Sequence, residues 1–152
     1  MSLQLEHEFS YWVSLNPPID FGAGPLGQRI YVEVTGGQAT GRRFNARAVG
    51  GGGDWILVGP DGFGRIDVRL HFETDDNAHV YVQYFGLLEL NQTAAQALVS
   101  GVGTEYEDQY FRTTPRFETG DARYAWMNQS VFVTKGQLRK GGGVEYEVYR
   151  AL

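Results

Sequence analysis

Arg65-Ile66-Asp67-Val68-Arg69-Leu70-His71-Phe72 has only apolar residues at its even positions, with Arg, Asp, Arg and His at the odd ones. A period of two defines a strand with one face built for a core and the other for water or a polar cavity. Turn formers bracket it, Gly59-Pro60-Asp61-Gly62 before and Thr74-Asp75-Asp76-Asn77 after. The next run, His79 to Leu90, is again rich in aromatic and β-branched residues. In the other direction Leu3, Leu5, Phe9, Tyr11 and Val13 fall on odd positions. Asn16-Pro17-Pro18 stops that strand, Gly22 to Gly27 continues as a loop, and Gln28 to Thr35 resumes pairing. Further runs at 43–49, 55–58, 109–119, 123–134, 137–139 and 144–150 are separated by Gly36-Gly37, the glycines at 50–53, Lys135-Gly136 and Gly141 to Gly143. About ten strands are expected. One short helix interrupts them over Thr93 to Val99, with Asn91 as N-cap and Gly101 as terminator.

About ten short antiparallel strands in one domain spanning 1–152 must close or stack, because an open sheet would expose an apolar face and two edges. The expected fold is an all-β, closed antiparallel barrel; a β-sandwich shares the same short alternating strands and is the alternative. The 152 residues include 21 glycines and no cysteine, so no disulfide, thiolate nucleophile or cysteine-ligated metal is available. Thirteen basic against eighteen acidic residues give a net charge of −5, which argues against a nucleic-acid partner. No apolar run approaches membrane-spanning length, and Glu6 and Glu8 stand where a signal peptide would be basic and then apolar, so a cytoplasmic location is expected.

Most catalytic motifs fail on context. Gly22-Ala23-Gly24-Pro25-Leu26-Gly27 has the dinucleotide-binding spacing, but Pro25 and the following strand forbid the helix that would meet a pyrophosphate. The glycines at 50–53 lack the Gly-Lys-Ser/Thr ending of a phosphate loop. His7, His71 and His79 lack metal-ligand spacing, no serine sits in a nucleophile elbow, and neither metal nor cofactor is expected. Two segments carry more. Asp67 and Arg69 lie on the polar face of the opening segment, and Arg112, Arg116 and Glu118 share a face in Tyr110-Phe111-Arg112-Thr113-Thr114-Pro115-Arg116-Phe117-Glu118-Thr119. Read as a strand, 123–134 puts Tyr124, Trp126 and Asn128 on one face, as a ligand wall or as core.

These segments, with Gly36-Gly37, Gly52-Gly53-Asp54-Trp55, Tyr81-Val82, Gly86, Tyr124-Ala125-Trp126-Met127-Asn128 and Val148-Tyr149, resemble a family known as domain of unknown function 3237, also called uncharacterised protein family 0311. The resemblance runs through nearly the whole chain. Met127 stands where the pattern has leucine and Asn77 where it has glycine. The resemblance implies a closed barrel similar to the lipocalin-like barrels, and it transfers no reaction, catalytic residue or cofactor.

The expected function is binding of a small aromatic or acidic organic molecule inside the barrel. Trp55, Tyr84, Tyr110, Tyr124 and Trp126 would form its walls, Asn128 an amide contact, and Arg69 or Arg112 the anchor for a carboxylate or phenolate. The alternative is a cofactor-independent lyase, isomerase or hydrolase in which Asp67 or Glu118 transfers a proton beside an arginine. Aromatic strands such as Val144 to Tyr149 would also suit a homo-oligomer interface.

Overall fold

The structure, a computed structural model, describes residues 1–152. Nine strands form in chain order: β1 (Leu5–Leu15), β2 (Ile19–Gly24), β3 (Gly27–Gly41), β4 (Ala46–Val58), β5 (Phe63–Thr74), β6 (His79–Glu89), β7 (Phe111–Glu118), β8 (Phe132–Leu138) and β9 (Val144–Ala151). From β3 to β9 each strand pairs with the next; β9 then pairs with β1, and β1 with β3. Every pairing is antiparallel, so eight strands close into a barrel and only β2 lies outside the ring, on the first part of β3.

The sequence expectation of about ten strands differs because glycine clusters read as turns lie inside strands. Gly36-Gly37 falls within β3, where the register shifts between Glu33 and Gln38, and the glycines at 50–53 fall within β4, where it shifts between Val49 and Gly52. Glycine allows a strand to bulge and bend without ending, which a small barrel needs to close. At the seam, a Cβ on Gly37 would collide with the Trp12 carbonyl, so the two backbones meet only because Gly37 has no side chain. Gly22 to Gly27, expected as loop, contributes the tip of the β2–β3 hairpin.

The largest correction is at 123–128. A 3₁₀ turn (Ala122–Tyr124) and a short helix, α2 (Ala125–Asn128), replace the expected strand. Asp121 caps the turn by accepting from the Arg123 N–H, and the helical periodicity scatters Tyr124, Trp126 and Asn128 over different faces. The other helix, α1 (Gln92–Ser100), forms where expected: Asn91 Oδ1 accepts from Ala94 N–H at 2.9 Å, and Gly101 ends the helix at φ +72.

The inside of the barrel is filled, not hollow. Phe9, Phe44, Phe72, Phe117, Phe132, Tyr124 and Met127 pack the end closed by α2, and Tyr11, Tyr84 and Tyr146 fill the middle. At the opposite end Leu15, Ile56, Leu90 and Val144 pack against the core while remaining only partly buried. A bulge between His7 and Phe9 turns Glu8 inward beside the buried Phe9. No helix is long and apolar enough to cross a membrane.

Candidate functional site

Asp54 on β4 is opposite Val32 on β3 and Val68 on β5, and Val68 is opposite Tyr84 on β6. Directly opposed residues point to the same side of a sheet, and Val32, Val68 and Tyr84 are buried, so Asp54 belongs to the inner row that contains Tyr84. Its Oδ1 accepts the Asp67 backbone N–H at 3.1 Å, while Oδ2, not fully enclosed, makes no hydrogen bond to the protein. Burial pushes the Asp54 carboxyl from an ordinary 3.8 up to about 7; the Asp67 N–H opposes the rise and the Asp67 carboxylate adds to it.

Behind Asp54 stands a hydroxyl cluster. Tyr84 Oη donates to Tyr146 Oη at 3.3 Å, and the Tyr11 ring lies 4.9 Å from that of Tyr146. Tyr11 Oη is buried without a hydrogen-bond partner, a costly arrangement for a hydroxyl. Burial raises all three phenols well above 10, and the Asp54 charge adds to the rise at Tyr84 and Tyr146, so the carboxyl is within electrostatic reach of both. None of the thirteen basic residues faces this group. Arg43 and Arg150 bind Glu8; Arg42, Arg47, Arg65 and Arg123 meet other carboxylates. Arg29 donates to the Trp55 carbonyl, and Arg112, Lys135 and Arg139 lie over Tyr110, Tyr106 and Trp12. Arg69 and Arg116 stand exposed on the outer face, and Lys140 is exposed in the β8–β9 turn.

Glu8 shows what a structural carboxylate looks like in this protein. Its side chain is 1% exposed and accepts from Arg43 at 2.7 Å and Arg150 at 2.8 Å. Burial alone would raise its carboxyl, but the two guanidinium groups hold it below the usual range. Asp54 has no such cation.

The ten residues nominated from sequence do not converge inside the barrel. Only Tyr84 is in the core among the strands; Tyr124, also buried, donates to Asp76 at 2.7 Å at the α2 end. Trp126 lies under Arg43, 3.7 Å from ring centroid to guanidinium carbon. Trp55 and Tyr110 are exposed, Trp55 against Tyr31 with ring centroids 5.0 Å apart. Arg112 donates to the Phe111 carbonyl. Asp67, Arg69 and Glu118 lie on the outer faces of β5 and β7, because the even positions of β5 and the odd positions of β7 take the core side. Glu118 and Asn128 do meet, with Tyr81, Gln83 and Arg116, around an outer groove of about 360 Å³. There the Asn128 amide is spent on the Thr119 backbone, donating and accepting at 2.8 Å. Sequence pattern does not single out Asp54, which sits within Gly52-Gly53-Asp54-Trp55. The available signal was an acidic residue directly after a glycine run, inside a segment otherwise apolar enough to be buried.

The class the fold defines is a closed eight-stranded antiparallel barrel with one extra strand outside the ring. The chain belongs to the family described as protein of unknown function (DUF3237), whose model matches residues 3–151. It is 31% identical over 132 residues to a UPF0311 protein of Clostridium acetobutylicum, covering 86% of this chain and 84% of the relative. A UPF0311 protein of Rhodopseudomonas palustris is 29% identical, covering 99% and 98% of the two chains. Among solved structures, a conserved protein of unknown function from Rhodopseudomonas palustris superposes with a TM-score of 0.88 at 27% identity, covering 100% of this chain and 99% of the other. A β-barrel-like protein from Acinetobacter baumannii gives 0.83 at 32% identity, covering 100% and 98%. A structure described as an enzyme from Penicillium herquei gives 0.73 at 17% identity, covering 100% and 96%, a likeness of fold alone.

Proposed function

We propose that the protein binds a small organic molecule beside the Asp54 carboxyl and moves protons on it, with Asp54 as general acid–base and no cofactor. The observation that carries this reading is an inner-row carboxyl with one oxygen unspent and no cation against it, raised to about 7. A group titrating there can take a proton from a bound molecule and return it at neutral pH. Val32 and Val68, opposite Asp54 on the neighbouring strands, supply apolar contact. Asp54 takes the role first assigned to Asp67 or Glu118. The Penicillium herquei protein of the same fold is described as an enzyme, which fits a catalytic use of this barrel.

A second reading, binding of a polar molecule on the outside, is favoured by the groove between β6, β7 and α2, where Arg116 and Glu118 have no ion-pair partner. The two are separated by screening a library of small organic molecules for thermal stabilisation and turnover in the wild type, Asp54→Asn and Glu118→Gln. The inner-site reading expects Asp54→Asn to abolish turnover of any hit while Glu118→Gln retains it. Turnover lost only in Glu118→Gln would overturn it.

A further inference from the structure

We propose that the outer face of the β2–β3–β4 arm is the contact surface of a homodimer, with a second copy of this chain seated on it across a two-fold axis. The register assembles the face. Ile19 is opposite Tyr31 and Tyr31 is opposite Trp55, one row across the three strands. The pairing of Asp20 with Ile30, carried one residue further, sets Phe21 opposite Arg29, and Arg29 is opposite Leu57. Directly opposed residues share one side of a sheet and successive residues alternate. Val32, next to Tyr31, is buried, so both rows lie on the side away from the core. The Tyr31 and Trp55 rings stack within the face, centroids 5.0 Å apart, and Arg29 donates to the Trp55 carbonyl.

The chain leaves this face in water. Strand β2 lies outside the ring and all six of its residues are exposed. Ile19 is 55% exposed, Phe21 65% and Trp55 42%, and Leu26 in the hairpin turn is 74% exposed. Tyr146 and Val148, in the segment expected at a subunit interface, are buried in the core.

Area identifies the occupant. At roughly 200 Å² for a large apolar side chain, the exposed fractions of these four leave roughly 450–500 Å² of apolar surface. One side of a standard dimer covers about 800 Å², of which about 60% is apolar, again roughly 500 Å². The rows continue on β5 into Arg65, opposite Leu57, and Asp67, so the apolar centre has a charged rim on that side, as an interface does. A small ligand needs a concavity, whereas this is the outside of a sheet, and a net charge of −5 disfavours nucleic acid. A two-fold operator matches the patch to itself, so one copy supplies both apolar halves.

The free edge of β2 is not the joint. Its register shifts between Asp20 and Ala23, Gly22 has φ +80, and Asp20 Oδ1 accepts the Gly22 N–H. A bulge of this kind blunts an edge against strand addition while leaving the apolar face open. The copies therefore pack face to face, with their sheets about 10 Å apart.

The test is sedimentation velocity of the 152-residue chain between about 1 and 100 μM, with hydrogen exchange followed at the same concentrations. The wild type should sediment as a dimer at the upper end, and amides of residues 19–31 should exchange more slowly as concentration rises. Phe21→Asp should raise the dissociation constant by about thirtyfold or more, and Leu26→Asp by about tenfold. Val131→Asp, a charge placed on an exposed residue outside the arm, should leave it unchanged. If Phe21→Asp loses the fold by circular dichroism, Leu26→Asp decides alone. A single chain throughout the range would overturn the proposal, as would a dimer that both arm variants leave intact or that Val131→Asp weakens equally. A wild-type single chain that floats with phosphatidylcholine vesicles, and no longer does so in Leu26→Asp, would give the patch to a lipid surface and overturn the second copy as its occupant.

Discussion

Replacing Asp54 by Asn should stabilise the protein at alkaline pH and leave it nearly unchanged in mild acid. In the unfolded chain this carboxyl titrates near its ordinary 3.8, and in the fold burial raises it to about 7. Between those values the folded state holds a proton that the unfolded state has released, so stability is greatest below 3.8, falls as pH rises, and levels off above 7. The gap of about 3 pH units, at 1.36 kcal/mol each, sets an upper bound of about 4 kcal/mol. Partial exposure of the side chain reduces this to about 2–4 kcal/mol in total, of which about two-thirds falls between pH 5 and 8.5. The asparagine keeps an Oδ1 acceptor for the Asp67 N–H but has no charge to bury. The assay is urea unfolding at a series of pH values. With a slope of about 2 kcal/mol/M, the wild-type midpoint should fall by about 1 M from pH 5 to 8.5, while the variant lacks that decline. The carboxylates whose values lie below normal, Glu8, Asp61, Glu73, Asp76 and Asp121, lose their contribution on acidification, outside this window. Parallel curves for the two proteins between pH 5 and 8.5 would refute the assignment of Asp54 as a buried, uncompensated acid.

Glu8→Gln should cost about 3 kcal/mol in urea unfolding, because it leaves Arg43 and Arg150 beside a buried neutral group; a loss below about 1 kcal/mol would mean the cluster is solvated. Gly37→Ala should lower the thermal midpoint by several degrees or prevent folding, since the new methyl meets the Trp12 carbonyl at the barrel seam. The buried hydroxyls of Thr113 and Thr134 share a hydrogen bond of 2.6 Å across β7 and β8. Either single valine variant should cost about 1–2 kcal/mol by stranding its partner, and the double variant should cost less than their sum.

The alternation in 65–72 predicted a strand whose even side is buried, and β5 has that pattern. Asn91 and Gly101 likewise marked the ends of α1, because capping is a contact between residues a few positions apart. A closed all-β barrel was legible for the same reason: local periodicity and turn chemistry reach the level of fold class. Strand count was not, because a glycine in a turn and a glycine in a bulge have the same sequence appearance, and their difference depends on the neighbouring strand. Nor was the helical path of 123–128, whose aromatic residues suit a strand equally well.

The site depended still more on closure. The odd-numbered residues of β5 were visible as a polar face, but whether that face lined the lumen or met solvent is a property of the whole sheet, and it meets solvent. Asp54 follows a bulge that shifts the register, so its inward direction is set by its opposition to Val32 and Val68, distant in sequence. Residue identity and local spacing fix which stretches pair and where chains turn, since those energies are short-ranged. Which carboxyl is removed from water and deprived of a cation is set only when the eight strands meet, because desolvation is the summed effect of every neighbour the closed barrel brings near.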